Sequence, residues 1–151
     1  CKASKSPENW KVEIIGHGRE KEKLQKFIDE NHLSERVRLM GIGSSDDVYR
    51  MMARSKISCL TSTVEAFGMV LLEAMFSSNA IIAYDCNYGP SDIVNEKNGF
   101  LIPLHDKKMF QEKLELVTQN PEVLENLMKS SFEDAQNWRK EFTQKEWRKL
   151  L

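Results

Sequence analysis

The segment at residues 65–76 reads EAFGMVLLEAMF, and the rest of the chain is arranged around it. From Met69 to Phe76 every residue except Glu73 is apolar, and Met, Leu and Ala favour a helix. A helix that is apolar on all sides is expected to be buried. The Glu73 carboxylate would then need partners, because an unpaired buried charge is strongly destabilising. The order of features is a strand, a polar loop with an acid (Glu65), a glycine, a helix and a second acid. This order is typical of a ligand-binding site.

Composition and charge narrow the class of protein. The chain has 151 residues, 40% of them hydrophobic and 30% charged, which is typical of one globular domain. A net charge of −1 gives no reason to expect nucleic acid as a partner. Cys1, Cys59 and Cys86 are too widely spaced for a disulfide framework or a zinc site and suit a reducing, cytoplasmic compartment. The sequence contains neither a membrane-spanning apolar run nor a signal peptide.

Hydrophobic periodicity predicts alternating strands and helices. Strands are predicted at residues 10–15, 37–40, 57–60, 80–84 and 100–102, and helices at 19–31, 44–54, 69–76, 106–119 and from Pro121 to the end, with a short helical turn at Ile93 and Val94. This alternation indicates an α/β fold with a mostly parallel sheet and helices on both faces. Ligands bind such sheets at the carboxyl ends of the strands. The loops that carry glycines and acids all follow strands, so we expect them to share that edge.

Two glycine-bearing turns follow the first two strands. Gly16, His17 and Gly18 could let the backbone approach a ligand closely, but a tight strand-to-helix turn explains them equally well. Gly41 is read as a strand terminator, although backbone groups of Met40 beside it could instead pair with the edge of a nucleobase. Both alternatives stay open at this point.

The spacing of Glu65, Gly68 and Glu73 has a chemical interpretation. A glycine at the start of a helix leaves free N–H groups that can hold a phosphate. Glu73 lies about 7–8 Å further along the helix axis at 1.5 Å per residue, and its side chain tilts back toward the N-terminus. A diphosphate at the helix start would place a ribose within reach of Glu73. The alternatives are a structural ion pair for Glu73 and an exposed loop acid for Glu65.

The remaining polar and aromatic residues give weaker signals. The histidines, His17, His32 and His105, show no metal-ligand spacing. The turn-rich segment 85–92, with Tyr88 and Gly89, could line a pocket or could be a rigid turn. The helical tail at 120–151 is expected to pack on a neighbouring surface through Trp138 and Trp147.

These residues together resemble a known enzyme family. Glu65-Ala66-Phe67-Gly68 followed by Glu73 resembles the E-x7-E signature of retaining GT-B glycosyltransferases of family 4, also called glycosyltransferase group 1. The glycine turn at residues 16–18, the V-x-L-x-G segment at 37–41 and the NGFLIP segment at 98–103 support the resemblance, which runs in register over residues 10–110. In that family this half of the protein is a Rossmann-like three-layer α/β/α domain that binds a nucleotide-sugar.

The resemblance implies a role for each residue that matches the family pattern. Glu65 would hold hydroxyls of the donor sugar and is the residue expected to act in catalysis, by positioning. Glu73 would take the ribose hydroxyls, and Met40 would flank the base. The remaining donor-binding residues would be Gly16, His17, Gly18, Ala66, Phe67, Gly68, Met69 and Val70.

Departures from the family pattern are equally informative. The Arg and Lys that neutralise the diphosphate in that family are expected upstream of residue 1, and the N-terminal acceptor-binding domain is also absent from this sequence. The whole chain, residues 1–151, therefore resembles the C-terminal domain of a longer protein. The first strand and helix of that domain are missing from it. The YGPSD segment at 88–92 resembles a Gram-positive subgroup that glycosylates teichoic-acid-type polymers or surface proteins.

The sequence thus predicts the donor half of a retaining glycosyltransferase that needs no metal or other cofactor. The full enzyme would move a hexose or N-acetylhexosamine from a UDP-sugar to an acceptor hydroxyl, and it could associate peripherally with the inner face of the membrane. The fragment alone is expected to be inactive. One rival is a GT-B-fold epimerase acting on UDP-sugars, and a second is a non-catalytic α/β regulatory domain such as a receiver.

Overall fold

The computed structural model describes residues 10–139, which divide after Arg50 into two compact units. Each unit is described by itself below. The expectations for Cys1 and for the part of the helical tail after Arg139, including Trp147, fall outside the described residues.

The first unit is built from two parallel strands and the helix that connects them. Strand β1 is Val12–Ile15, helix α1 is Lys21–Glu30 and strand β2 is Val37–Gly41. The strands pair in parallel, with Val12 opposite Val37, and the register shifts at Ile15. Helix α1 contacts β2 and buries Ile28, but it leaves Leu24 and Phe27 exposed. The two-stranded sheet therefore leaves part of the apolar surface of α1 uncovered.

Helix α2, Ser45–Arg54, runs across the division between the two units. Its start carries a reciprocal cap. The Asp47 N–H donates to Ser44 Oγ at 3.2 Å, while Ser44 N–H and Oγ donate to Asp47 Oδ2 at 2.9 and 2.7 Å. This pattern, a serine with an acid three residues later, satisfies donors that a helix start leaves free. Within the helix predicted at residues 44–54, Ser44 is therefore the cap.

The second unit contains a three-stranded parallel sheet in the order β3–β4–β5. Strand β3 is Ile57–Leu60, helix α3 is Met69–Phe76, strand β4 is Ala80–Asp85, helix α4 is Pro90–Ile93 and strand β5 is Gly99–Pro103. Four consecutive residues of β4, Ala80 to Ala83, are fully buried. Because successive side chains of a strand point to opposite faces, both faces of the sheet must be covered at β4. The three-layer α/β arrangement predicted from sequence is confirmed.

Two long helices complete the second unit. Helix α5 is Lys107–Gln119, and its N-cap Asp106 accepts a hydrogen bond from the Met109 N–H at 2.9 Å. Helix α6, Pro121–Ala135, packs against α3, α5 and β4. The sequence predicts a helix continuing through Trp138, whereas α6 ends at Ala135 and tightens into a 3-10 turn at Gln136–Trp138. The tighter winding changes the direction in which Trp138 leaves the helix axis.

Asn79 joins the ends of three elements of the second unit. Its amide Nδ2 lies 3.0 Å from the Met52 carbonyl oxygen in α2 and 2.9 Å from that of Ser55, and Ser58 Oγ in β3 donates to its Oδ1 at 2.7 Å. The residue is fully buried. Since a buried amide without partners is destabilising, this set of bonds fixes how residues 52–55, β3 and the start of β4 meet.

Strand pairing is the main difference from the sequence prediction. All the pairings among residues 10–139 are parallel, as predicted, but the strands form two sheets rather than one. Local periodicity identifies strands, but it does not encode which edges meet, because pairing depends on contacts distant in sequence. Within the described helices, none is long and apolar enough to cross a membrane.

Candidate functional site

The loops that follow β3 and β4 leave the same edge of the second sheet. These strands are adjacent and parallel, with Leu60 opposite Ala83 near their carboxyl ends. The loop after β3 carries Glu65 and leads to Gly68 at the start of α3, and the loop after β4 carries residues 86–89. Within this unit, the prediction that glycine- and acid-bearing loops share the carboxyl edge is confirmed.

Backbone hydrogen bonds tie these two loops together at Glu65. The Glu65 N–H donates to the Asn87 carbonyl at 3.1 Å, and the Tyr88 N–H donates to the Glu65 carbonyl at 2.8 Å. Both polar groups of the Glu65 backbone are thereby held by the neighbouring loop. Glu65 is half-buried. Because its backbone is held by these bonds, its carboxylate is attached at a fixed position at the edge of the sheet. The role of Asn87 could not be predicted from the sequence, because Asn87 accepts this hydrogen bond through a backbone carbonyl oxygen that any residue type could supply.

Two glycines are required by the shape of this loop pair. Gly68 is the N-cap of α3 with φ +84°, and Gly89 has φ +101°. A Cβ atom on Gly89 would overlap the carbonyl oxygen of Phe67. Both glycines therefore permit conformations and approaches that a side chain would prevent.

Helix α3 is less buried than its sequence predicts. Leu71, Leu72, Ala74 and Met75 are buried, but Met69 is 59% exposed and Phe76 is 39% exposed. Glu73 is half-buried between them. Positions 69, 73 and 76 follow helical spacing and share one face, so the prediction of a helix buried on all sides is wrong. Apolar side chains can remain exposed along a stripe that no described element covers.

The geometry of α3 suits an anionic ligand with hydroxyl groups. The N–H groups of Met69 and Val70 precede the first bond of the helix ladder, whereas the Leu71 N–H donates to the Gly68 carbonyl at 2.8 Å. Their orientation and the helix dipole favour a negative charge at Gly68. Glu73 follows about 7–8 Å along the axis on the accessible face. Which group pairs with the Glu73 carboxylate stays a prediction.

The remaining predicted donor-binding residues lie in the first unit. Gly16 follows β1, and its N–H donates to the Gly41 carbonyl at 2.8 Å. Gly41 ends β2 with φ +75°. His17 is exposed and Met40 is 45% exposed. The structure thus brings the ends of β1 and β2 together, and the assignment of these residues to the same site as Glu65 stays a prediction.

The negative charges near the loop pair affect the pKa of a buried thiol, that of Cys86. Burial raises the pKa of Cys86, and the negative charges of Glu65 and Asp85 raise it further. The thiol therefore stays protonated at neutral pH and is a poor nucleophile. Glu65 therefore lies close enough to Cys86 for its negative charge to raise the pKa of the thiol.

One aromatic residue outside the motifs reaches the loop. The Trp138 and Phe67 rings lie edge to face, with centroids 5.7 Å apart and an interplanar angle of 68°. Packing of Trp138 is predicted from the sequence, but its partner is not. No local pattern could have connected two residues so distant along the chain.

Residues 10–139 contain no group of three or more His, Cys, Asp or Glu side chains that could hold a metal ion. The expectation that the protein needs no metal stays a prediction. It rests on the family resemblance.

Comparisons with known proteins agree with one another. A family model described as "Glycosyl transferases group 1" matches residues 1–134. The amylovoran biosynthesis glycosyltransferase AmsD of Erwinia amylovora is 26% identical over 144 residues, covering 95% of this chain and 40% of that protein. The poly(ribitol-phosphate) alpha-N-acetylglucosaminyltransferase of Staphylococcus aureus (strain COL) is 32% identical over 111 residues, covering 73% of this chain and 22% of that protein.

Solved structures give the same result. A mutant of S. aureus TarM in complex with fondaparinux, alpha-GlcNAc-glycerol and UDP superposes with a TM-score of 0.80 at 29% identity, covering 93% of this chain and 28% of that one. The chain therefore spans less than half the length of each of these relatives.

Proposed function

This chain belongs to the family of group 1 glycosyl transferases, and we propose that it is the donor-binding half of a glycosyltransferase that uses a UDP-sugar. The observation that carries the proposal is the loop pair at Glu65. Two reciprocal backbone bonds hold Glu65, and three residues later Gly68 opens a helix that carries Glu73 on its accessible face.

Each part of this arrangement has a proposed role toward one donor molecule. The carboxylate of Glu65 accepts hydrogen bonds from hydroxyls of the transferred sugar. The segment from Ala66 to Val70 meets the sugar and the diphosphate through backbone N–H groups, aided by the dipole of α3. Glu73 accepts hydrogen bonds from the vicinal ribose hydroxyls. In the first unit, we also assign Gly16, His17, Gly18 and Met40 to donor binding, on the family resemblance.

The proposed reaction retains the configuration at the anomeric carbon and uses no metal. The bond from the anomeric carbon to the diphosphate oxygen breaks while a bond to the acceptor oxygen forms on the same face. The acceptor proton passes to the leaving phosphate oxygen, so no covalent intermediate with the protein is needed. Fixed N–H dipoles stabilise the charge that develops on the diphosphate. Glu65 positions the sugar and does not attack it.

The donor and acceptor classes are proposed from the relatives. The S. aureus relative is named as an N-acetylglucosaminyltransferase acting on poly(ribitol-phosphate), and the TarM structure contains UDP. These support a UDP-hexose or UDP-N-acetylhexosamine donor and a hydroxyl acceptor on a polysaccharide, a teichoic-acid-type polymer or a protein. We assign acceptor binding and the basic residues that neutralise the diphosphate to parts of a longer protein. We also propose a cytoplasmic location, with peripheral association at the inner membrane face, and no nucleic-acid partner.

Calorimetric titration of UDP into the complete protein tests the proposal. Glu73→Ala should weaken UDP binding about 10-fold or more, since hydrogen bonds to a charged group contribute about 1.5–3 kcal/mol. Glu65→Gln should leave UDP affinity nearly unchanged but lower the transfer rate, because its proposed contacts are with the sugar. Glu125→Ala, which changes an exposed acid on α6, is the matched control and should change neither quantity.

Three outcomes would contradict the proposal. Unchanged UDP affinity in Glu73→Ala would remove the ribose role. A product that forms equally without any acceptor would favour the epimerase. Absence of any thermal shift on adding UDP would favour a non-catalytic α/β domain.

A further inference from the structure

The ring of Phe67 lies in the loop between β3 and α3 and contacts Trp138, a residue distant along the chain, in the 3-10 turn after α6. Phe67 stands between Ala66 and the helix-opening Gly68. Its ring meets the Trp138 ring edge to face at 5.7 Å. Both residues are half-buried, so the pair lies at the boundary between the core and the surface. Such ring pairs contribute beyond the area that they bury.

The backbone of Phe67 is held from another direction. Its carbonyl oxygen lies against Gly89, in space that a Cβ atom would need. Glu65, two residues earlier, is tied by its own N–H and carbonyl to Asn87 and Tyr88. The loop after β4 therefore fixes the backbone of this segment, while Trp138 is the aromatic contact of its side chain.

Trp138 is itself anchored to the rest of the second unit. Asp134, one turn earlier, accepts hydrogen bonds at Oδ2 from Asn95 Nδ2 at 2.9 Å and from Asn98 Nδ2 at 3.1 Å. Asn98 is fully buried and its amide also donates to the Ile93 carbonyl at 3.0 Å. The end of α6 is thus tied to the turn before β5, and this sets where the following 3-10 turn places Trp138.

We propose that Trp138 is a positioning residue for the donor, acting through the ring of Phe67 on the N–H groups at the start of α3. This inference rests on the proposed function. Without the ring pair, the loop would sample other conformations, and only a fraction of molecules would present the binding geometry. The apparent dissociation constant rises as the inverse of that fraction. Donor affinity therefore falls although Trp138 need not touch the nucleotide.

The test compares Trp138→Leu, Trp138→Phe and Phe132→Leu in the complete protein. Phe132 is an aromatic on α6, the helix that precedes the 3-10 turn of Trp138; it is 42% exposed and serves as the matched control. Calorimetry should show UDP binding about 3- to 10-fold weaker in Trp138→Leu, the range expected for loss of an aromatic pair. Trp138→Phe keeps an aromatic ring and should restore affinity to within about 2-fold of wild type. In kinetics, the KM for the donor should rise in Trp138→Leu while the KM for the acceptor stays unchanged.

A double-mutant cycle with Phe67→Leu distinguishes action through Phe67 from a general loss of stability. If the two rings act as a pair, the double variant should bind UDP about as weakly as either single variant. Effects on affinity that multiply would overturn the inference, as would wild-type UDP affinity in Trp138→Leu. If Trp138→Leu does not fold, Phe67→Leu removes the same pair from the loop side, and unchanged affinity there would overturn the inference equally. Failure of the wild-type protein to bind UDP would instead contradict the proposed function.

Discussion

The carbonyl oxygen of Phe67 occupies the space that a Cβ atom on Gly89 would need. The loops after β3 and β4 can therefore approach this closely only with glycine at position 89. Two backbone hydrogen bonds at Glu65 accompany the close approach. The position of the predicted sugar-binding acid thus depends on a glycine in the neighbouring loop.

Gly89→Ala should lower the free energy of unfolding by at least about 2 kcal/mol, because it adds a positive-φ penalty of about 1–2 kcal/mol to a backbone overlap. Urea denaturation measures the change. Gly18→Ala is the control, since a Cβ atom there meets nothing within 4 Å and φ lies outside the left-handed region. It should change stability by no more than about 0.5 kcal/mol. Equal stability of the two variants would show that the loops can separate without loss.

Asn98→Ala should destabilise the second unit by about 2–3 kcal/mol, since it leaves buried polar groups without partners. The Asn98 side chain donates to Ile93 O and Asp134 Oδ2 and accepts from the Asn95 N–H. Thermal unfolding followed by circular dichroism gives the change. Asn137→Ala, at an exposed position, should unfold as wild type does. A similar small shift in both variants would mean that water replaces the buried bonds.

The cap at the start of α2 should make the Asp47 carboxyl group more acidic than usual. Hydrogen bonds from the Ser44 hydroxyl and N–H lower the pKa of Asp47. A carboxyl group whose pKa is lower in the folded state stabilises the fold above its ordinary pKa. That contribution is lost as the pH falls through the folded-state pKa. In Ser44→Ala, titration by NMR should show the Asp47 pKa rising toward its ordinary value. Ser45→Ala should leave it unchanged, and an identical rise in both variants would exclude the Ser44 hydroxyl as the cause.

The Cys86 thiol offers a second pH-dependent test, at the candidate site. Its pKa is raised by burial and then by Glu65 and Asp85. The proton is held more tightly in the folded state, so this contribution to stability is present below the ordinary thiol pKa and is lost as the pH rises toward the folded-state value. Glu65→Gln should lower the Cys86 pKa, so alkylation of Cys86, followed by mass spectrometry, should begin at lower pH. Glu125→Gln should not move the profile. An unmoved profile in Glu65→Gln would mean that its carboxylate does not act on the thiol.

Local patterns in the sequence were sufficient to identify the individual elements. The predicted strand at residues 57–60 and the predicted helix at 69–76 coincide with β3 and α3. Alternation and helical spacing are properties of neighbouring residues, so they can be read without knowing the fold. Glu65, Gly68 and Glu73 could be singled out for the same reason, because their chemistry and spacing lie within one short segment.

Exposure and long-range contacts could not be read in that way. The apolar run of α3 predicts burial on all sides, yet Met69 and Phe76 are exposed. Hydrophobicity shows which residues would gain from burial, but the amount of covering structure decides which ones achieve it. The contact between Phe67 and Trp138 likewise depends on where α6 ends and how the next turn is wound.

The sequence alone determined the α/β class, the order of the elements and the acid-glycine-acid segment, because these follow from local periodicity and residue chemistry. The tertiary structure alone decided that the strands pair in two sheets, that Gly89 lies against the Phe67 carbonyl, and that the Trp138 ring contacts the Phe67 ring. Each of these joins residues distant along the chain, and packing selects among many locally equivalent arrangements.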